Sequence, residues 1–150
     1  MDNYMRLEIL AKGENESFAR SAVAAFALSL NPSLSELSDI KTAVSEAVTN
    51  SVVHAYKRGE EERKIVIECR ICGGELHIEI TDYGCGIDDV ERAQTPFYTT
   101  LSGEERSGMG FTIMQTFMDG FSLQSTRGKG TRVAMMKRIG EEEKKERVHA

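Results

Sequence analysis

Two alternating runs on either side of Gly73-Gly74 constrain this chain more than any other feature. Ile65, Ile67, Cys69 and Ile71 fall on one face of an extended segment, and Leu76, Ile78 and Ile80 share a face on the return. Alternation with period two marks strands with one buried face, and a Gly-Gly pair between them marks a tight hairpin turn. A sheet that is apolar on one side must be covered there, so the rest of the chain has to supply a second layer. Continuing the phase by two places Asp82 on the apolar side. A carboxylate there is costly unless other groups donate hydrogen bonds to it.

Helical patterns supply the cover. One opens at Asn15 or Glu14 and runs to about Leu30, closed by Asn31-Pro32, because the residue before a proline resists helical dihedrals. From Phe18 to Leu34 its only charged residue is Arg20, which is more apolar than one buried face requires and suggests contact with a second protein chain. A second helix begins near Ser33 or Ser35, with Ser33-Leu34-Ser35-Glu36 as a capping box, and runs to about Tyr56. Lys57-Arg58-Gly59 are cations and a glycine suited to its last turn, and Glu60 to Lys64 reads as a solvated loop. A third helix carries Ile113, Met114, Phe117 and Met118 and opens at Ser107 or a neighbouring glycine.

The remaining strands are Tyr4 to Ala11 at the start, and Phe121 to Thr126 and Thr131 to Lys137 at the end, the last two joined by Arg127-Gly128-Lys129-Gly130. Asp88 to Arg92 reads as a short helix, and Gln94 to Arg106 is long for a connector, as lids and binding loops are. Strand, two helices, hairpin, lid, helix, hairpin is the order of an α+β two-layer sandwich, here with a mixed sheet covered by helices on one face. A chain of 150 residues leaves room for one such domain, residues 1–138, followed by a charged tail, 139–150.

A net charge of -5 argues against direct nucleic-acid binding, which needs a basic face. No apolar run approaches the roughly 18 residues of a membrane span, so the chain reads as cytoplasmic with no membrane partner. Cys69 and Cys72 lie three apart in a strand, about 10 Å from one another on opposite faces, beyond the roughly 7 Å limit of a disulfide. Cys85 is a lone third thiol, and a four-ligand zinc site has no obvious membership.

Within the second helix, Glu46 and Asn50 are four apart and stack on one face, a carboxylate and an amide offered to one point. Such a pair is usually a solvated face. Here the flanking Ala43, Val44, Ala47, Val48, Val52 and Val53 leave little of the helix to face water, which leaves a structural and a functional role equally open. Asp82-Tyr83-Gly84-Cys85-Gly86 reads either as an ordinary Asp-x-Gly turn or as backbone made able to approach a ligand closely. Ser107-Gly108-Met109-Gly110, at a glycine-rich helix start, presents free N–H groups to an anion, phosphate being the natural guest. Gly128-Lys129-Gly130-Thr131 has the wrong spacing for a P-loop and lies between strands.

Taken in order around a lid, Glu46-x-x-x-Asn50, Asp82-x-Gly84-x-Gly86, Ser107-Gly108-x-Gly110 and Gly128-x-Gly130-Thr131 resemble the motifs of the gyrase, heat-shock chaperone, histidine kinase and mismatch-repair ATPases, over roughly Met5 to Lys137. Within that superfamily, Asn15 to Arg20, Val44 to Asn50 and Glu105 to Met114 are most similar to the anti-sigma F factors of spore-forming bacteria, small serine kinases. The resemblance implies the Bergerat ATPase fold, ATP or ADP with Mg2+, and a homodimer that binds sporulation sigma factor F. It also implies phosphorylation of a serine on an anti-anti-sigma protein.

Residue by residue, the resemblance assigns Glu46 as general base, Asn50 to magnesium and Asp82 to the adenine amino group. Gly84 and Gly86 fall to backbone around the nucleotide, Thr131 to the adenine side, and Gly108 and Gly110 to the phosphates, with Ser107 and Met109 also in the nucleotide site. Thr99 and Arg106 of the lid are further nucleotide contacts, and Arg20 a partner contact. An amide oxygen suits magnesium, which takes few protein ligands and retains water and phosphate oxygens. The kinase of the general stress sigma factor is the near alternative, and a nucleotide-gated sigma-binding module without turnover the other. His54, His77 and His149 fit a phosphoacceptor role poorly, so the chain departs from histidine kinases.

Overall fold

In the computed structural model, which describes residues 1–56, 63–87, 89–94 and 110–140, strand β1 (Asn3–Leu10) leads into helix α1 (Glu14–Ala27). A tight 3-10 turn over Leu28–Leu30 continues α1, and Asn31 ends it at φ 53, in the left-handed region, just ahead of Pro32. Helix α2 (Leu34–Asn50) begins with the expected capping box: the Glu36 N–H donates to Ser33 Oγ at 3.0 Å and the Ser33 N–H to Glu36 Oε1 at 2.9 Å. Such a reciprocal cap satisfies two of the helix's orphan donors.

The α-helical part of α2 stops at Asn50 rather than near Tyr56. Ser51–Ala55 form a π-helical turn, and Tyr56 is already extended. Tertiary hydrogen bonds hold this turn: the Ser51 hydroxyl is drawn to Asp82 Oδ2 at 2.9 Å, and the Ala55 carbonyl is taken by the Cys85 N–H at 2.7 Å. Lys57-Arg58-Gly59, expected to close the helix, lie outside the described residues.

Strands β2 (Lys64–Cys72) and β3 (Glu75–Asp82) form the hairpin, with Gly73 at φ 61 in its turn. Lys64, expected in the loop, already pairs with Leu10. The short helix α3 (Val90–Ala93) follows, then α4 (Gly110–Phe117), β4 (Gly120–Thr126) and β5 (Gly130–Arg138). The sheet order is β1-β2-β3-β5-β4. Every neighbouring pair is antiparallel, so the expected mixed sheet is corrected to an antiparallel one. The crossover from β3 to β4 does return the chain in the same direction. However, β5 inserts between the two strands and pairs with both, so no parallel neighbours remain.

Phase decides what each face does. Ile65, Ile67, Cys69, Leu76, Ile78 and Ile80 point into the core, where they meet Val23, Ile40, Val44, Val48 and Met114 from the helices. Burying one such side chain contributes about 1.5–3 kcal/mol, so this layer contact holds the fold. The opposite face is mainly polar, with Val66 buried on it and cross-strand pairs such as Arg6–Glu68, Lys64–Glu8 and Arg132–Glu79. Exposed pairs of this kind contribute about 0–1 kcal/mol and chiefly keep the face hydrated. Cys69 is buried and Cys72 half-buried, both free, and burial pushes the Cys69 thiol up to about 12. Ile139 is buried and its N–H donates to Gly74 O, while residues 141–150 of the expected tail lie outside the described residues. Among the described residues no helix is long and apolar enough to cross a membrane.

Candidate functional site

The last turn of α2 and the first residue of α4 meet. A Cβ built on Gly110 would stand 3.1 Å from Asn50 Nδ2, 3.3 Å from Asn50 Oδ1 and 3.3 Å from Glu46 Oε2. A side chain at residue 110 would press on both by a few tenths of an ångström, and the half-buried pair on α2 is brought to the start of α4. The first N–H groups of a helix have no partner within it, and they carry the positive end of its dipole. A carboxylate, an amide oxygen and a helix N-terminus thus converge on one place.

Asp82, only 5% exposed, lies where β3 ends, opposite Thr131 of β5. Its Oδ1 accepts the Gly84 N–H at 3.1 Å and the Thr131 N–H at 3.3 Å, and its Oδ2 accepts the Ser51 hydroxyl at 2.9 Å. Burial raises the carboxyl's pKa, and the three hydrogen bonds oppose that rise. The donors demanded by the sequence therefore come from the protein itself. An ionised carboxylate has about four lone-pair sites, so the oxygen facing Ser51 keeps capacity for another donor. Thr131 is held in turn by Ser125, whose hydroxyl lies 2.8 Å from Thr131 Oγ1 and accepts the Ile87 N–H at 2.7 Å.

The loop after Asp82 is stitched to its surroundings. The Cys85 N–H donates to Ala55 O, and the Gly128 N–H to Cys85 O, both at 2.7 Å. A Cβ on Gly84 would fall on the Ala55 carbonyl and 2.7 Å from Ala55 Cβ. Gly86, at φ +75, and Gly130, at φ +133, press on the backbone at Thr126 and Asp82 in the same way. The space these glycines vacate is filled by the chain's own backbone, which fixes the loop around Asp82. Gly84→Ala is accordingly expected to cost about 1–3 kcal/mol in urea unfolding, since the clash is with backbone that must move.

Arg20 is half-buried rather than projecting alone. Its guanidinium lies 3.4 Å from Glu16 Oε1, donates to Ser45 Oγ at 3.3 Å and to Ser17 Oγ at 3.4 Å, and the Ser45 hydroxyl also bonds Glu16. This cluster ties α1 to the residue before Glu46. Elsewhere, Phe18 and Leu28 on the α1 side and Leu34 at the start of α2 are exposed, at 54%, 55% and 88%.

Thr99, Arg106, Ser107, Gly108 and Met109 lie outside the described residues, as does the lid from 95 to 106. Glu46, Asn50 and Gly110 form one group; Asp82, Gly84, Gly86 and Thr131 form a second, linked to the first through Ser51, next to Asn50 in sequence. Ser51 and Ser125 were missed by sequence reasoning. Ser51 carried a signal, a hydroxyl in an otherwise apolar helical run; Ser125 carried none, since serine is ordinary in a strand.

With this geometry in view, comparison with known proteins is informative. A family model described as Histidine kinase-like ATPase domain matches residues 9–137. An anti-sigma F factor from Clostridium botulinum (strain Eklund 17B / Type B) is 55% identical over 138 residues, 92% of this chain and 96% of its own. One from Clostridium perfringens (strain SM101 / Type A) is 52% identical over 139 residues, 93% of this chain and 99% of its own. Among solved structures, the RsbU and RsbW domains of a Mycobacterium tuberculosis protein superpose with a TM-score of 0.65 at 16% identity. That match covers 91% of this chain and 32% of the other, and at such identity it concerns the fold.

Proposed function

Because this chain belongs to the histidine kinase-like ATPase family and, within it, to the anti-sigma F factors, we propose that it is an ATP-dependent protein serine kinase that also sequesters a sigma factor. It binds sporulation sigma factor F, and it transfers the γ-phosphoryl group of ATP to a serine of an anti-anti-sigma protein. The observation that carries this reading is the contact of Gly110 with both Glu46 and Asn50, which supports a base and a metal-binding amide beside the α4 N-terminus.

The residues fit the substrates. Asp82 takes the adenine amino group on the oxygen facing Ser51, with Thr131 beside it and the Gly84–Gly86 loop holding it in place. The start of α4 at Gly110 receives the phosphates, with Ser107, Gly108, Met109, Thr99 and Arg106 as further nucleotide contacts. Among the described residues no cluster of three or more His, Cys, Asp or Glu gathers as a metal cage. Asn50 offers an amide oxygen of the kind magnesium accepts together with phosphate and water oxygens. When bound, the metal neutralises charge on the phosphates as it builds in the transition state.

Glu46 takes the proton of the attacking serine hydroxyl as the serine Oγ–P bond forms and the bond between the γ-phosphorus and the ADP oxygen breaks. Positioning and charge stabilisation carry most of such a transfer, and the base adds about 10²–10⁴-fold. The test is incubation with labelled ATP, magnesium and candidate anti-anti-sigma proteins. Label on a partner serine is the expected result. Label nowhere, with sigma factor still retained, leaves a nucleotide-gated binding module; label released as free phosphate without an acceptor leaves a stand-alone ATPase. Acceptance only by the partner of a general stress sigma factor points to that kinase instead.

The exposed Phe18, Leu28 and Leu34 and the scarcity of charge on α1 support a contact role for this face, with a second copy of the chain or with a partner. Arg20 is carried by the same helix, two residues after Phe18. Arg20→Glu sets a second carboxylate against Glu16, and it is expected to weaken binding of a protein partner while leaving ATP binding intact. Unchanged affinity for both protein partners, measured by calorimetry, removes Arg20 from the interface.

A further inference from the structure

We infer that Lys137 is a positioning residue, which together with Asp39 sets how far α4 sits along α2 and so places the α4 N-terminus against Glu46 and Asn50. Lys137 follows Val133 and Met135 on the core face of β5, a place for an apolar side chain, and is only 8% exposed. Its Nζ donates to Phe117 O, the last carbonyl of α4, at 2.7 Å, and lies 3.4 Å from Asp39 Oδ2 of α2. A cation at a helix C-terminus satisfies an orphan carbonyl and complements the dipole. A second helix is engaged by the same group.

The spacing gives this tie its consequence. Asp39 precedes Glu46 by seven residues, and Phe117 follows Gly110 by seven. Seven residues are about two helical turns, about 10.5 Å, and return to the same face. The contact at Glu46 and Gly110 and the link Asp39–Lys137–Phe117 are therefore two rungs on one pair of antiparallel helices, one at the site and one at its far end. Neighbouring bonds tie the same corner to the sheet. The Asp119 N–H donates to Met136 O at 2.9 Å, the Arg138 N–H to Asp119 Oδ2 at 2.7 Å, and the Gly140 N–H to Glu36 Oε2 at 3.1 Å. Those bonds fix the ends of strands and helix individually; Lys137 alone among these groups reaches α2 and α4 together.

This inference rests on the kinase reading, since it supposes phosphates at the start of α4, and the experiment separates the two. Affinities for ATP and for adenosine are measured for the wild type, Lys137→Met, Lys137→Arg and Asp39→Asn, at a temperature where circular dichroism shows each folded. Lys137→Met is expected to lose about tenfold in ATP affinity, within the range found for residues that act through packed elements. Adenosine, which lacks phosphates and rests on Asp82, is expected to bind as to the wild type. Lys137→Arg restores part of the loss, and Asp39→Asn, which keeps the Phe117 bond, loses less. If Lys137→Met does not fold, the contrast between ATP and adenosine in Asp39→Asn decides. Equal ATP affinity in the folded variants, or an equal loss for ATP and adenosine, overturns the role of Lys137. A wild type that binds no ATP at all overturns the kinase reading beneath it.

Discussion

Glu46→Gln is expected to slow phosphoryl transfer to the partner serine by about 10²–10⁴-fold while nucleotide affinity stays close to that of the wild type. Glutamine has the shape of glutamate, so the contact with Gly110 survives, but it does not accept the serine proton. In steady-state terms kcat falls and the KM for ATP does not rise, the pattern of an interaction made in the transition state alone. A parallel loss of ATP affinity would instead make Glu46 a support for the α4 N-terminus or for the metal.

Asp82→Asn tests the other end of the site. The side chain keeps its size, and its oxygen still accepts from the Gly84 and Thr131 N–H groups, while the new amide donates to Ser51 Oγ. On the proposed seating of ATP, what changes is the face offered to the base: a donor would meet the adenine amino group. A hydrogen bond to a charged group contributes about 1.5–3 kcal/mol, so ATP affinity is expected to fall by at least about tenfold, and discrimination against GTP to shrink.

Stability should move the other way. Burial raises the Asp82 pKa, so the folded state favours the protonated carboxyl, and its contribution to stability is present at low pH and lost as pH rises through the raised value. Asparagine has no charge to bury. At neutral pH its melting temperature is therefore expected to match or exceed the wild type's, with the difference narrowing as pH falls. A variant that melts well below the wild type at neutral pH would show that the carboxylate is mainly structural.

The layers were legible because period-two and helical spacing each say which face is buried. The hairpin at Gly73-Gly74, the capping box at Ser33 and the stop at Asn31-Pro32 all stand where local chemistry puts them. The π turn after Asn50 was not legible, because it depends on Ser51 meeting a carboxylate 31 residues on in the chain. Strand direction was also hidden, since the placement of β5 between β3 and β4 leaves no local trace.

The site was legible in its residue types and not in its reasons. Gly84 and Gly86 read either as an ordinary turn or as backbone opened to a ligand; their vacated space is occupied by Ala55 and Thr126. Gly110 read as one of several glycines at a helix start, whereas its closeness to Glu46 and Asn50 comes from tertiary packing of α4 on α2. Lys137 entered only as the last residue of the final strand, and its partners, Phe117 and Asp39, are distant in sequence.

The central claim is that Glu46, Asn50 and Gly110 on one side and Asp82 on the other hold a single nucleotide between them. A crystal structure with magnesium and a non-hydrolysable ATP analogue tests it most directly. The predicted result has the adenine amino group on the Asp82 carboxylate, the phosphates at the start of α4, Asn50 Oδ1 bound to the metal and Glu46 facing the γ-phosphorus. A nucleotide seated elsewhere, or one seated there with Asn50 away from the metal and Glu46 turned from the γ-phosphate, would contradict the account.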